Sequence, residues 1–562
     1  MTSVLSLSQT PRGGFDGEGT DAPHSASLVP PERLPLSDRL QSGVVQPLLP
    51  LWLACLVALG GSLSLMTGFP GADVWPMTLV GVAAILVSLV GQRWNRALLV
   101  GLIGGAAFWC AHISWLTLYL GPVPWLALAL LEAIFFAVGA VAIAFVYRFA
   151  GAVWPTRLGR LGILPVVIAG LWTAREAITA VAPEGGFSWG RVAFSQSTSP
   201  FSHLVAFVGV SGLSFLLVWL VAFAIQLCRE ASIRVVSRIA LGILAAGLLL
   251  VVPAWPAPTS GTTRIAAVQG NTKSGLLDRV EAGDNLNAHI TETLKLEGDA
   301  VDMVVWPENA SDVDPEASRA AAADLDFISG IMKAPLVVGT IAERDGKFYN
   351  TSLLWENGSV ADFYDKRHPV PFAEYMPARP LFRALVPDLV DLVTRDYQVG
   401  TTDTVMDVNG VIAGISICFD ITDDSAVQAM VDDGAQVILA QTNNADFGQT
   451  DENLQQLAIA RLRAIETGRS VVNISTVGHS AIIAPDGSTL DEIAPYTPGA
   501  MVDDVPLSTT TTPASLAGRG LEWLVSGLGL AGLALALIAA ARAAPALNDG
   551  RAQPKGRARR SR

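Results

Sequence analysis

The stretch "GVIAGISICFDI", residues 410–421, sets the reading of the chain. From Val411 to Ile417 it is apolar or small and rich in β-branched residues, the pattern of a strand buried on both faces. It delivers Cys418 directly to its end, with Asp420 two residues later. The other cysteines, Cys55, Cys110 and Cys228, sit in or beside long apolar segments, so Cys418 has no disulfide partner and reads as a free thiol. A strand end is where a side chain leaves a sheet for a crevice.

Strand-length apolar runs of the same kind recur on either side: "TRIAAVQGN", "VDMVVWPE", "PLVVGTIAE", "AQVILAQT", "SVVNIST" and "SAIIAPDG". They alternate with polar helical stretches at 282–297, 315–333 and 451–467. This spacing predicts an α/β domain over 256–515 in which helices cover sheets. At about 260 residues the segment is large enough for its own core.

The remainder of the chain has a different character. Of 562 residues 51% are hydrophobic and 15% charged, and the mean hydropathy is +0.44. A soluble domain carries about 25% charged residues, so this is a membrane protein. Apolar segments suited to crossing a bilayer lie near 47–67, 75–91, 97–117, 123–148, 162–180, 204–228, 237–255 and 521–541. The fifth carries Arg175 and Glu176 near its end, and the short second is flanked by Trp75 and Trp94, as interfacial anchors would be. Arg93 and Arg96, Arg157 and Arg160, and Arg229, Arg234 and Arg238 occupy alternate loops, whereas the loops near 68–74 and 118–122 have no Lys or Arg. The positive-inside rule then puts the arginine loops in the cytoplasm, residues 256–515 outside, and the eighth span back across. The expected divisions are a disordered cytoplasmic tail over 1–46, seven helices over 47–255, the outer domain over 256–515, an eighth helix over 516–542 and the basic cytoplasmic tail 543–562. A cleavable signal peptide would begin far closer to Met1.

Within the outer domain Glu308 ends "VDMVVWPE", Lys366 lies in "FYDKRHPVPFAEYMP" and Cys418 ends its own strand. Together a carboxylate can take a thiol proton, an ammonium can hold an oxyanion, and the thiol can form a covalent intermediate. Singly each has a plainer reading. Cys418 can be core packing, Glu308 can cap the helix entry "PENASDVDPEAS", and Lys366 beside Arg367 can be solvated surface. His368 could pair with Cys418, but Pro369 follows it and no third partner is evident.

In their order and separations, "VVWPEN", "YDKRHPVPFAEYMP" and "GISICFDI" resemble the Glu-Lys-Cys triad of the nitrilase superfamily, and most closely its membrane branch, the apolipoprotein N-acyltransferases. "GFSWGRVAFSQ" (186–196), "NTSLLW" (350–355) and "RLRAIETGRSVVNISTVGHSAIIAPDG" (461–487) extend the resemblance over nearly the whole chain from about residue 47. The resemblance implies an α-β-β-α sandwich outside eight transmembrane helices, with Glu308 as general base, Lys366 as oxyanion stabiliser and Cys418 as nucleophile. Glu374 matches a second glutamate that supports the lysine, and Trp306, Asn350, Phe419 and Asp420 would line the substrate. It further implies an acyl chain passing from a membrane phospholipid, through a cysteine thioester, to the α-amino group of a diacylglyceryl-cysteine at an apolipoprotein's N-terminus. A bacterial cytoplasmic membrane location and a monomer complete that expectation. Two places depart from the family pattern. Phe419-Asp420 stands where Tyr-Glu is usual, and Asp446-Phe447-Gly448 where Trp-Phe-Gly is usual. The segment 372–393, with Arg379 and Arg383 among apolar clusters, reads equally as a membrane-dipping arm or as an insertion packed on the domain.

Other classes fare less well. A membrane-anchored nitrilase-type amidase would use the same triad but needs only one anchor. A transporter would pair charges inside its spans, where His112, Glu132, Arg175 and Glu176 are the ones available and no repeat is visible. A net charge of −13 argues against nucleic acid. The scattered histidines lack metal-ligand spacing, and no phosphate loop or dinucleotide fingerprint implies a cofactor.

Overall fold

The computed structural model describes residues 43–272, Gly275 and 281–549. Most of the two expected tails therefore lies outside the described residues. Among the described residues, seven apolar helices of 14 residues or more come first: α1 (Leu51–Thr67), α2 (Pro76–Leu89), α3 (Trp94–His112), α4 (Pro122–Val153), α5 (Leu164–Thr179), α6 (Val205–Arg229) and α7 (Val235–Leu250). Among the described residues, five helical stretches are long and apolar enough to cross a membrane: 94–112, 122–153, 159–179, 202–229 and 520–542. α1, α2 and α7 are equally apolar but shorter. The fifth segment accommodates its charges internally. On α5 the Trp172 indole donates to Glu176 at 2.8 Å, and Arg175 lies over the rings of Phe136 and Trp172 while touching Glu176 at 3.3 Å. α6 breaks at Gly209 (φ 68°), and the freed Val210 N–H donates 2.9 Å to Glu466 of the following domain.

That domain holds two six-stranded sheets. The first contains β1 (Gly261–Gln269), β2 (Met303–Val305), β3 (Leu336–Arg344), β4 (Lys347–Glu356) and β5 (Ser359–Asp365). The second contains β6 (Val405–Val408), β7 (Val411–Ile417), β8 (Val437–Thr442), β9 (Ser470–Ser475), β10 (Ser480–Ile483) and β11 (Thr489–Ile493). β12 (Gly499–Leu507) returns to the first, giving orders β12-β1-β2-β3-β4-β5 and β11-β10-β9-β8-β7-β6. β1-β2-β3 and β7-β8-β9 run parallel, so each sheet has a buried parallel centre.

Alternation along the strands divides the cores. Val437 and Leu439 of β8 face the other sheet, meeting Ile265, Val305 and Val337, whereas Ile438 and Ala440 face outward. α8 (Asp284–Thr293) and α9 (Arg319–Met332) cover the first sheet through Leu286, Leu325 and Ile328. α10 (Asp424–Asp432) and α11 (Glu452–Thr467) cover the second and join a core continuous with that of the apolar helices. The order is helix, sheet, sheet, helix, with the last layer seated on the bundle. α12 (Gly520–Asp549) then packs back against α5.

Residues 376–393 form a small lobe. Met376, Val390 and Val393 are its core, the Arg379 guanidinium grips Asp396 at 2.5 Å, and Leu381 and Leu385 are exposed.

Candidate active site

The position of Cys418 follows from β7. Its residues are consumed by pairing with β6 and β8, so the chain must turn sharply where β7 ends. Cys418 makes that turn at φ +50°, a left-handed conformation that L residues adopt at a cost and that recurs at functional sites. Asp420 holds it. Its fully buried carboxylate accepts the Ile417 N–H at 3.3 Å, the Tyr364 hydroxyl at 2.9 Å and the His368 N–H at 3.1 Å, with His368 Nδ1 at 3.3 Å. The short Asp side chain is thus occupied in fixing the turn. Phe419 faces the bundle, its ring parallel to those of Phe187 and Trp189 with centroids about 6 Å away.

Glu308 follows β2 in a loop that lies against β3. A Cβ on Gly339 would come within 2.4 Å of the Pro307 carbonyl oxygen, so glycine is required there for the loop to seat. Lys366 follows β5, with its N–H donating to the Asn350 carbonyl at 2.9 Å. Its ammonium lies 2.8 Å from Glu374 Oε2 and 3.5 Å from Glu308 Oε1. Asn350 on β4 clamps the pair: its Nδ2 donates to Glu308 Oε1 and to Glu374 Oε1, each at 2.7 Å. Glu374 Oε2 also accepts the Val370 N–H at 2.6 Å. Glu308, Lys366, Asn350 and Glu374 therefore form one connected group. Trp306 is elsewhere, buried in the outer core with its indole N–H on Thr293 Oγ1 at 3.0 Å.

The electrostatics suit proton transfer. Burial pushes the Glu308 carboxyl up, the Lys366 ammonium opposes that, and the Glu374 carboxylate adds to it, which makes Glu308 a stronger base than a surface glutamate. Burial disfavours charge on Lys366, but Glu374 and Glu308 outweigh it and keep the ammonium protonated. Burial, with Glu308 beside it, pushes the Cys418 thiol well up, so it rests protonated.

Several residues around the site escaped the sequence reading. Gln456 on α11 donates through Nε2 to Cys418 Sγ at 3.6 Å. Its neighbour Gln455 accepts from the indoles of Trp189 at 2.6 Å and Trp115 at 3.2 Å, pinning two loops of the bundle to the domain. Ser188 donates to the Thr422 carbonyl at 3.0 Å, and Arg191 and Arg463 both hold Asp424 at 2.7 Å. Arg463 also donates to the Ile421 and Thr422 carbonyls at 3.0 Å, immediately after the turn at Cys418. Phe447, in the departing Asp446-Phe447-Gly448 loop, packs on Trp115 and Tyr119. Burial, with Asp446 and Glu374 nearby, raises the Tyr119 hydroxyl. A cavity of about 310 Å³ lies between the bundle's 180–188 loop and the domain, lined by Glu184, Arg367, His368, Tyr375, Phe419 and Asp423 among others.

Two facing sheets under helices, with a cysteine, a lysine and glutamates on loops that follow the strands, are the frame of a nitrilase-like enzyme. The family profile described as Carbon-nitrogen hydrolase matches residues 264–513. A second profile, described as Apolipoprotein N-acyltransferase N-terminal domain, matches 61–223. The apolipoprotein N-acyltransferase of Mycolicibacterium smegmatis is 31% identical, over 93% of this chain and 89% of its own length. That of Pseudomonas paraeruginosa is 27% identical over 85% and 96%. A solved amidase from Nesterenkonia sp. aligns with 45% of this chain and 94% of its own at 20% identity and a TM-score of 0.35. The chain belongs to the apolipoprotein N-acyltransferase family, and it is an acyltransferase built on membrane helices and a nitrilase-like domain.

Proposed function

We propose that this protein moves an acyl chain from a membrane phospholipid to the free α-amino group of a diacylglyceryl-cysteine at the N-terminus of an apolipoprotein. The observation that carries the reading is the connected group of Glu308, Lys366, Asn350 and Glu374 together with Cys418, in a domain whose helix layer is pinned to apolar-helix loops through Gln455 and Arg191. Both substrates carry acyl chains, and a site beside the bundle can receive them without extracting them from lipid.

In the first half-reaction Glu308 takes the Cys418 proton as Sγ attacks the phospholipid ester carbonyl. Lys366, steadied by Glu374, holds the resulting oxyanion. Collapse expels the lysophospholipid oxygen, which takes the proton from Glu308, and leaves a thioester on Cys418. In the second half the acceptor amine attacks that thioester and gives its proton to Glu308. The amide forms, Sγ leaves, and the proton returns to it. Asn350 and Asp420 act one step removed, by holding the carboxylates and the nucleophile turn, and Trp306 backs the Glu308 loop from the core. Phe419 meets the acyl chain at the mouth.

The loop arginines support eight crossings, with α1, α2 and α7 as the short ones, and a catalytic domain over 256–515 on the outer face of the bacterial cytoplasmic membrane. In this arrangement 47–255 forms the seven-helix unit, 516–542 the returning helix, and 1–46 and 543–562 cytoplasmic tails. The exposed Leu381 and Leu385 of the 376–393 lobe then dip toward lipid. The working unit is a monomer. Mass spectrometry of a lipoprotein N-terminus, with and without the protein, tests the reading. It predicts a gain of one amide-linked acyl chain, and an unchanged N-terminus would refute it.

A further inference from the structure

The proton transfers above place negative charge on sulfur twice, once on attack and once on leaving, and the proton held by Glu308 gives it a donor from one side of the site alone. Gln456 Nε2 lies 3.6 Å from Cys418 Sγ, on the α11 side of the site. Its orientation is dictated by a buried chain of bonds. Gly478 N–H donates to Ser475 Oγ at 2.9 Å, and that hydroxyl donates to Asn444 Oδ1 at 2.6 Å. The Thr442 hydroxyl gives Oδ1 a second bond at 3.1 Å. With its oxygen so occupied, Asn444 turns both Nδ2 hydrogens the other way, one to Gln456 Oε1 at 2.8 Å and one to Glu452 Oε2 at 2.9 Å. Gln456 Oε1 being taken as an acceptor, its Nε2–H must face the sulfur. The chain is built tightly: a Cβ on Gly478 would sit 2.4 Å from Asn444 Oδ1. Asn444, Glu452 and Gln456 are each 2% exposed.

We propose that Gln456 is a further catalytic residue, whose amide donates to Cys418 Sγ as the thiolate forms and as it leaves the thioester, and that Asn444 is the positioning residue that aims it. This rests on Cys418 being the nucleophile. No atom is transferred by Gln456: the Sγ proton still goes to Glu308 and returns from it, and the amide bond to sulfur only strengthens as charge develops. The charged and titratable groups facing the sulfur are Glu308, Lys366, Glu452 and Glu374, of which only Lys366 favours the thiolate. Burial raises Glu452 to about 8, and a neutral Glu452 spares the sulfur one opposing charge.

The test reads Cys418 by itself. The full-length protein in detergent is alkylated with iodoacetamide across a pH series, and Cys418 is followed by peptide mass spectrometry, with Cys55, Cys110 and Cys228 as internal references. Gln456→Leu removes the donor. The Cys418 profile should move up by about one pH unit, with roughly tenfold slower alkylation at neutral pH and thioester formation slowed by a similar factor. Gln456→Glu keeps the shape, puts an acceptor against the sulfur, and should move the profile further the same way. Asn444→Asp removes the hydrogens that orient Gln456 and should resemble Gln456→Leu. Far-UV circular dichroism and the thermal transition of each variant in detergent check folding. If Gln456→Leu loses the wild-type transition, the isosteric Gln456→Glu decides. Profiles that coincide with wild type in Gln456→Glu and Asn444→Asp would overturn the proposal. Absence of any thioester on Cys418 in the unsubstituted protein would instead overturn the acyl-transfer reading on which it rests.

Discussion

Replacing Glu374 by Gln isolates the electrostatic part of the site, because the change keeps volume and removes one charge. Glu374 accepts bonds from Lys366 Nζ, Val370 N–H and Asn350 Nδ2, all between 2.6 and 2.8 Å. A glutamine offers one oxygen, so whichever way the amide turns, a donor meets a donor. One buried charge-assisted bond is worth about 1.5–3 kcal/mol, which predicts acyl-enzyme formation slowed roughly 10- to 150-fold. The pH profile discriminates further. Glu308 and Glu374 both accept from Asn350 Nδ2 at 2.7 Å, so their bonded oxygens are no more than about 5 Å apart. Like charges at that distance repel by about 3 kcal/mol at an effective dielectric near 20, partly offset by Lys366 between them. Glu308 accepts a proton only when ionised, so the rate falls as pH drops through its pKa. That pKa is raised, by burial first and by Glu374 as a further contribution. Removing the Glu374 charge lowers it, and the acid limb of the rate profile should move down by about one pH unit. Single-turnover formation of acyl-enzyme from labelled phospholipid, across pH 4–8, measures both effects. An acid limb that moves upward, or an unslowed rate, would refute the arrangement of base, lysine and supporting glutamate.

Other perturbations follow the same logic. Glu308→Gln removes the general base while keeping the Asn350 bond, and thioester formation should fall by about 10²–10⁴-fold in the same assay. Asp420→Asn keeps one of two acceptor oxygens in the nucleophile turn, so a calorimetric scan should show about 1–3 kcal/mol of lost stability while activity drops only modestly. Loss as complete as for Cys418→Ala would mean that this carboxylate acts on the substrate. A reporter fluorescent only in the cytoplasm should be dark when fused near residue 400 and bright after residue 550, and the reverse pattern would invert the topology.

What the sequence disclosed depended on whether a position follows from local pattern. Strand-length runs leading to Glu308 and Cys418, and the motif around Lys366, were legible because an apolar run marks where a strand hands the chain to a loop, although β2 ends at Val305, before Glu308. The resemblance added Glu374, which local pattern alone would leave as one acidic residue among many. Asn350 and Asp420 were legible as site residues but not in what they do: the former clamps two carboxylates, and the latter fixes the turn at Cys418. Trp306 stands two residues before Glu308, yet its side chain joins the outer core, because β2 ends at Val305 and the loop that Pro307 opens breaks the alternation before Glu308. Gln456, Gln455 and Arg463 were missed for a physical reason. The stretch 451–467 is polar and reads as a solvated helix, but α11 is wedged between the second sheet and the bundle, so its polar side chains are buried and satisfied by partners distant in sequence. Apolar segments were legible as such. The shortness of α1, α2 and α7 was less so, because hydropathy does not register that Pro50, Trp75 and Val251 stand at their ends as caps.

The central claim is that Cys418 carries the acyl group between two lipid substrates, and one experiment addresses it most directly. Purified protein is incubated with phospholipid labelled in its acyl chain and no acceptor, then challenged with a diacylated lipopeptide bearing a free amine. The account predicts label on Cys418 that neutral hydroxylamine releases, no label on Cys418→Ala, and discharge onto the lipopeptide amine when it is added. Label lost to water at the same rate with or without the lipopeptide would contradict it, and would assign the site to hydrolysis.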